Sequence, residues 1–351
     1  MPFIFHHNDD DGRCAAAVIY NECCEASDLN VLPDENFIEY SHGMSMPIVP
    51  ADQLRDNDTV YIVDLALDPV IFANIARIQN INPTIKIVHI DHHKTTFDFL
   101  ENMTDEQREV MSHVRKFYRN GISASMLCWV YGCMTDAERA LLDDETIPEG
   151  DRDIFDFTEN YSHLGFYPGK TDKERILRIP MIVRFIDDWD VWRHALPETR
   201  AFNAGFGLIT DKHPKQEFWS VYLYTNNDYA LNEKIIVPGE IILQYNTVTY
   251  KHMMKHAFEY TLPTGDTILC LNANGNSTVF GSNIEAYPAC CLFNYEGDKK
   301  LWTYSMYSKE DGLDVSEICK SYGGGGHVHA AGFQTMDNIF ADHNKMTWQP
   351  E

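Results

Sequence analysis

Three short apolar runs in the first hundred residues, each cut off by acid or histidine, constrain the chain more than any other feature. Phe3-Ile4-Phe5, Val60-Tyr61-Ile62-Val63 and residues 85–90 have the length and β-branched content of strands buried on both faces, as in a parallel sheet. Residues 13–20 and 69–78 read as the helices that alternate with them, which predicts an α/β fold. Ligands of such sheets sit beyond the carboxyl ends of the strands. That is where His7, Asp9, Asp11, Asp64, Asp91, His92 and His93 fall.

The rest of the chain reads differently. Its 351 residues exceed one ordinary core, so two domains are expected. Residues 104–190 read as mostly helical, with 122–131 one helix and 179–185 the start of another. The acidic stretch 135–153 between them reads as a solvated insertion or lid. Gly, Pro and Asn interruptions mark 195–239 as a connecting region, and 240–260 reads as a helix. Strand character returns at 267–271, 289–293 and 301–306, followed by a short helix at 315–321 and a glycine-rich loop. The expected division is 1–194, a metal-binding catalytic domain; 195–260, connecting region and linker helix; and 261–351, a smaller α/β domain.

With 53 acidic against 28 basic residues, the formal charge of −25 would repel a long polyanion. A groove for long duplex nucleic acid is therefore not expected. Such a surface suits a protein that concentrates divalent cations or handles small anions in a neutralised pocket. The nine cysteines include no CxxC pair, which argues against a disulfide framework and for a reducing, cytoplasmic compartment. The opening MPFIFHHND is neither basic nor long and apolar, so no signal peptide or membrane anchor is expected.

In the extended segment His7-Asn8-Asp9-Asp10-Asp11, alternate side chains point the same way, so His7, Asp9 and Asp11 could face one cavity. Alone, the segment reads equally as a polar strand-to-helix turn capped by an aspartate. Asp64 alone reads better as a helix cap or salt-bridge partner. Asp91-His92-His93 decides the matter. Three neighbouring strands ending in carboxylates and imidazoles would repel one another unless cations held them. Carboxylate-rich ligation with a minority of imidazoles favours manganese over magnesium, and two ions bridged by a shared carboxylate are the usual hydrolytic arrangement.

At these residues the chain resembles the DHH family of phosphoesterases. His7-x-Asp9-x-Asp11-Gly12 matches the family's first motif, Asp64 its second and Asp91-His92-His93 its third. A fourth motif supplies one aspartate; among Asp187, Asp188 and Asp190 the flanking apolar residues favour Asp188, with Asp190 the alternative. Gly324-Gly325-Gly326-His327-Val328-His329-Ala330-Ala331-Gly332 fits the GGGHxxAAG loop that ends the family's associated C-terminal domain. Tyr307 stands where that domain usually carries an arginine.

The resemblance implies an N-terminal parallel-sheet domain and a smaller α/β domain with the active site in the cleft between them. It implies two divalent ions, most simply Mn2+ with Mg2+ second, one held by His7, Asp9 and Asp64 and the other by Asp11, Asp64, Asp188 and His92. His93, His327 and the backbone of Gly324, Gly325 and Gly326 would receive the phosphate. The oligoribonuclease branch points to short oligonucleotides or dinucleotides cleaved to 5′-mononucleotides. Cyclic dinucleotides and bisphosphorylated nucleotides are alternatives, as is a non-catalytic nucleotide-binding protein. The oligomeric state stays open, a homodimer included. Trp189 and Trp192 read as core rather than as a base-stacking platform.

Overall fold

Each apolar run forms a strand in the computed structural model, which describes residues 2–24, 32–41, 45–49, 51–134, 139, 166–168, 176–224 and 228–340. In chain order the first sheet is built from β1 (Phe3–His7), β2 (Phe37–Tyr40), β3 (Thr59–Val63), β4 (Lys86–Asp91) and β5 (Val114–Tyr118). All pairings are parallel, in the order β2-β1-β3-β4-β5. Connections leave β1 and β3 toward opposite edges, so the gap between those two strands is the topological switch point, where open α/β sheets bind their ligands.

Five helices follow the strands: α1 (Asp10–Ile19), α2 (Pro69–Ile81), α3 (Lys94–Glu101), α4 (Asp105–Ser112) and α5 (Ala124–Cys133). Asp68 caps α2 through Val70 N and Ile71 N, and Pro69 begins it. Ile71, Ile75 and Ile78 of α2 then fall on one face, packed with Phe5, Val60, Ile62 and Ile87. The small residues Ala15, Ala16 and Ala17 of α1 are fully buried. Strands β2 and β5 depart from the sequence expectation, which makes residues 104–190 mostly helical. β5, at the sheet edge, buries Val114, Phe117 and Tyr118 but leaves the adjacent polar Arg115 and Lys116 half-buried, which breaks the alternation a strand would show in sequence.

The described residues cluster into two compact units, Met1–Glu240 and Ile241–Glu351. The first also contains the ribbon β6 (Phe166–Pro168) and β7 (Ile176–Arg178), and the helices α6 (Met181–Asp190), α7 (Thr199–Phe206) and α8 (Glu217–Tyr224). The acidic stretch 135–153 lies outside the described residues except for Arg139. Of the residues read as a connecting region, 199–206 and 217–224 are helical. The linker helix is α9 (Val237–Met253), shorter than its expected end, because Phe258–Thr261 pairs as strand β8.

The second unit is a six-stranded mixed sheet in the order β12-β13-β11-β10-β9-β8. Its other strands are β9 (Thr267–Asn272), β10 (Cys290–Glu296), β11 (Leu301–Tyr307), β12 (Gly325–His327) and β13 (Ala330–Thr335), with helix α10 (Val315–Ser321). Phe258, Phe293, Tyr304, Phe333 and Phe340 form its aromatic core. No helix among the described residues is long and apolar enough to cross a membrane.

Buried Thr96 ties the ends of two central strands together. Its Oγ1 accepts from Leu67 N at 2.7 Å and donates to Asp91. The isosteric Thr96→Val strands both partners, so a loss of about 1–3 kcal/mol of unfolding free energy is expected, read from urea denaturation at unchanged slope.

Candidate metal centre

The site begins where β1 runs into α1. Asp9 caps the helix, accepting from Gly12 N at 2.9 Å, while its other oxygen accepts from His7 Nδ1 at 2.5 Å. A Cβ on Gly12 would lie 2.5 Å from the carbonyl oxygen of His7, so only glycine lets α1 rest on the strand end. The three neighbouring aspartates are thereby sorted. Asp10 turns to Lys212 Nζ, 2.6 Å away. Asp11 turns inward and is buried, accepting from Ala124 N at 2.7 Å and Ser125 N at 2.9 Å at the start of α5.

Asp64 follows β3 directly, in the left-handed region at φ 56°, with its N–H donating to Ile90 O at 3.0 Å. This kink places a 2% exposed carboxylate at the switch point. From the end of β4, His92 Nε2 lies 3.3 Å from Asp64 Oδ1, 3.8 Å from Asp11 Oδ2 and 3.5 Å from Asp190 Oδ2. His93 Nδ1 is bound to Asp91 Oδ1 at 2.8 Å and lies 3.9 Å from Asp64 Oδ1. Asp91, fully buried, is thus a positioning group for His93 rather than a member of the cluster.

Position on α6 separates Asp187, Asp188 and Asp190. Asp188 is fully buried and engaged by Ala195 N at 2.9 Å, Leu196 N at 3.1 Å and the hydroxyl of Thr199. Asp187 binds Ser123 N at 2.8 Å and the guanidinium of Arg193. Asp190, two residues and about 200° of helical turn beyond Asp188, faces His92. The structure therefore brings the alternative Asp190, not the favoured Asp188, to His7, Asp9, Asp11, Asp64 and His92. The reason is that Asp188 already serves as a structural acceptor. Gly324, Gly325, Gly326 and His327 belong to the second unit.

Burial, then the neighbouring Asp11, Asp9 and Asp190, push the Asp64 carboxyl well above the carboxylate range. Burial, then Asp11 and Asp9, push Asp190 up to about 8. Burial also raises Asp11, opposed by His92. Asp9 goes the other way. Burial would raise it, but the hydrogen bond and charge of His7 hold it at about 2. Burial would lower His93, but Asp91 raises it.

Oδ2 of both Asp64 and Asp190 is buried without a hydrogen-bond partner. Orphaned oxygens amid repelling carboxylates fit a cation. Among the described residues, three groups bring their ligand atoms within 4.8 Å: His7, Asp9 and Asp64; Asp11, His92 and Asp190; and Asp64, His92 and His93. The first two sets share no residue, and Asp64 adjoins both, so the donors suit two ions of Mn2+ or Mg2+ type.

Some parts of the site were not visible in the sequence. Lys212, which turns Asp10 away, and the α5 amides that hold Asp11 lie far along the chain from the motifs they serve, with no local signal. Trp192, read as core, is 71% exposed.

No protein-family model matches the chain. It is similar to an uncharacterized protein of Acanthamoeba polyphaga mimivirus, at 27% identity over 179 residues. That match takes in 48% of this chain and 38% of the relative, so the chain spans well under half the relative's length. Among solved structures, the DHH domain of a member of a family of ribosomal proteins aligns at 15% identity, covering 94% of this chain and 82% of that one, with a TM-score of 0.45. The pGpG-specific phosphodiesterase PggH from Vibrio cholerae aligns at 12% identity over 95% of this chain and 92% of its own, with a TM-score of 0.42.

Raised folded-state pKa values mean that the metal-free folded protein holds protons the unfolded chain releases. Its stability is therefore full below the ordinary carboxylate pKa near 4 and falls as pH rises toward about 8, the value for Asp190. Melting curves across that window should show this decline, and Mn2+ should abolish it. Asp190→Asn should raise metal-free stability at pH 8 while weakening Mn2+ binding by calorimetry at least tenfold. Asp188→Asn should instead lower stability with or without metal.

Proposed function

We propose that the chain is a divalent-metal-dependent phosphoesterase, acting on short oligonucleotides or dinucleotides to release 5′-mononucleotides, with Mn2+ as the preferred ion. The observation that carries this reading is the convergence of His7, Asp9, Asp11, Asp64, His92 and Asp190, with two buried carboxylate oxygens left unpartnered. Divalent ions bound there would supply Lewis acidity toward phosphoryl oxygens and lower the pKa of an attacking water.

The protein's own residues do the rest. Asp64 adjoins both ligand sets and joins them. Asp91 fixes the His93 ring through Nδ1 and favours its protonated form, so Nε2 is suited to donate to a phosphoryl or leaving oxygen. Asp11, anchored on the α5 amides, cannot swing away as charge develops.

The glycine loop of the second unit supports a phosphate-binding role by its own construction. A side chain on Gly324 would strike the backbone of Gly332, and Gly326, at φ 144°, lies against Ala331. Gly325 has no such excuse. It lies in β12 opposite Gly332, and nothing lies within 4 Å of where its Cβ would be, which leaves room for a ligand to approach the backbone closely.

With Mn2+, wild-type protein should convert dinucleotides to mononucleotides by chromatography, and Asp64→Ala should lower turnover by at least a thousandfold while nucleotide binding survives. A wild-type protein that binds but never cleaves would favour the nucleotide-sequestering alternative. Gly325→Ala should leave the melting temperature within about 1 °C yet raise KM severalfold; an unchanged KM would remove the loop from the site.

A further inference from the structure

Immediately after Asp190 the chain makes a turn that keeps its aromatic residues out of the core. Trp192 and His194 both adopt positive φ, 55° and 49°, a rare state for bulky side chains. Such backbone persists only where its surroundings over-determine it. Here Arg193 is fixed to Asp187 and to Gly121 O at 3.1 Å, and His194 N donates to Asp188 O at 3.2 Å. The Asp188 carboxylate grips Ala195 N and Leu196 N. Two of the three acids of the fourth motif thus serve to hold this turn.

The turn presents a stack. Trp189 and Trp192 lie 5.6 Å apart at 29°, Trp189 and His194 5.0 Å apart at 28°, and Trp192 and His194 4.9 Å apart at 51°. Trp192 nevertheless remains 71% exposed. Trp189 lines a cavity of about 240 Å³ together with Asp9, Asp10, Asp11, Asp190 and Asn203, so the stack adjoins the carboxylate cluster through Trp189.

We propose that Trp192, backed by Trp189 and His194, is a nucleobase platform: a nucleotide whose phosphate is at the cluster stacks its base on this turn. The inference rests on the phosphoesterase reading and names the substrate class of the same site. It favours nucleotide over inorganic polyphosphate or pyrophosphate, which have nothing to stack. Flat π-faces attract any base, so the platform is tolerant of sequence. It also supplies affinity that does not depend on surface charge, which is unfavourable in a chain of net charge −25.

The test uses the full chain with Mn2+, comparing wild type, Trp192→Ala and Trp192→Phe. Calorimetry with adenosine 5′-monophosphate and with ribose 5-phosphate reads binding without requiring turnover. Trp192→Ala should weaken the nucleotide roughly 10- to 100-fold and leave ribose 5-phosphate unchanged, and Trp192→Phe should restore most of the loss. In steady-state assays the same loss should fall on KM for a dinucleotide, with kcat within about twofold. Equal loss for both ligands, or none, overturns the platform even if the enzyme cleaves dinucleotides. A change in sedimentation of Trp192→Ala with nucleotide affinity intact overturns it too, assigning the turn to contact between copies. If the protein cleaves nothing, the phosphoesterase reading fails while the base-dependent difference still decides the platform.

Discussion

Mutual repulsion among buried carboxylates at the carboxyl edge of the parallel sheet is the constraint on which the rest of the first unit depends. Asp11 and Asp64 are almost completely buried, and Asp190 is largely so, within reach of the same imidazole. A protein interior does not gather such groups for stability, since each ion loses hydration and gains like-charged neighbours. The arrangement makes sense as a receptacle for cations.

What surrounds the cluster is a sorting device. Of six aspartates in two short segments, Asp9, Asp11 and Asp190 join the cluster, Asp10 is drawn off by Lys212, and Asp187 and Asp188 are consumed by Arg193, Thr199 and backbone amides. The distinction is environmental, not chemical. Residues of one type acquire opposite roles because each meets a different donor, and the donors come from the start of α5, the turn between α6 and α7, α7 itself and the loop before α8.

That explains how much could be read from sequence. The strands β1, β3 and β4 were legible because burial on both faces demands continuous apolar runs, and the residues following each run marked the site. β5 was not, because Arg115 and Lys116 at a sheet edge look like helix surface. His7, Asp9, Asp64 and His92 come together at the strand ends the sequence marks, whereas Asp11 joins them from the first turn of α1 rather than from an extended segment, because Asp9 caps the helix that begins at Asp10. Asp188 was preferred over Asp190 because the apolar residues before and after it define a helix face without saying which acid on that helix is already satisfied. Trp192 was read as core because aromatic residues beside a motif usually are; a positive φ, invisible in sequence, turns it outward.

The central claim is that this cluster exists to hold a pair of divalent ions. Anomalous scattering at the manganese edge from crystals of the full chain grown with Mn2+ tests it most directly. Two peaks are expected, one among His7, Asp9 and Asp64 and one among Asp11, His92 and Asp190, with the Asp64 carboxylate between them. Crystals grown in saturating Mn2+ that show no peak at these side chains would contradict it.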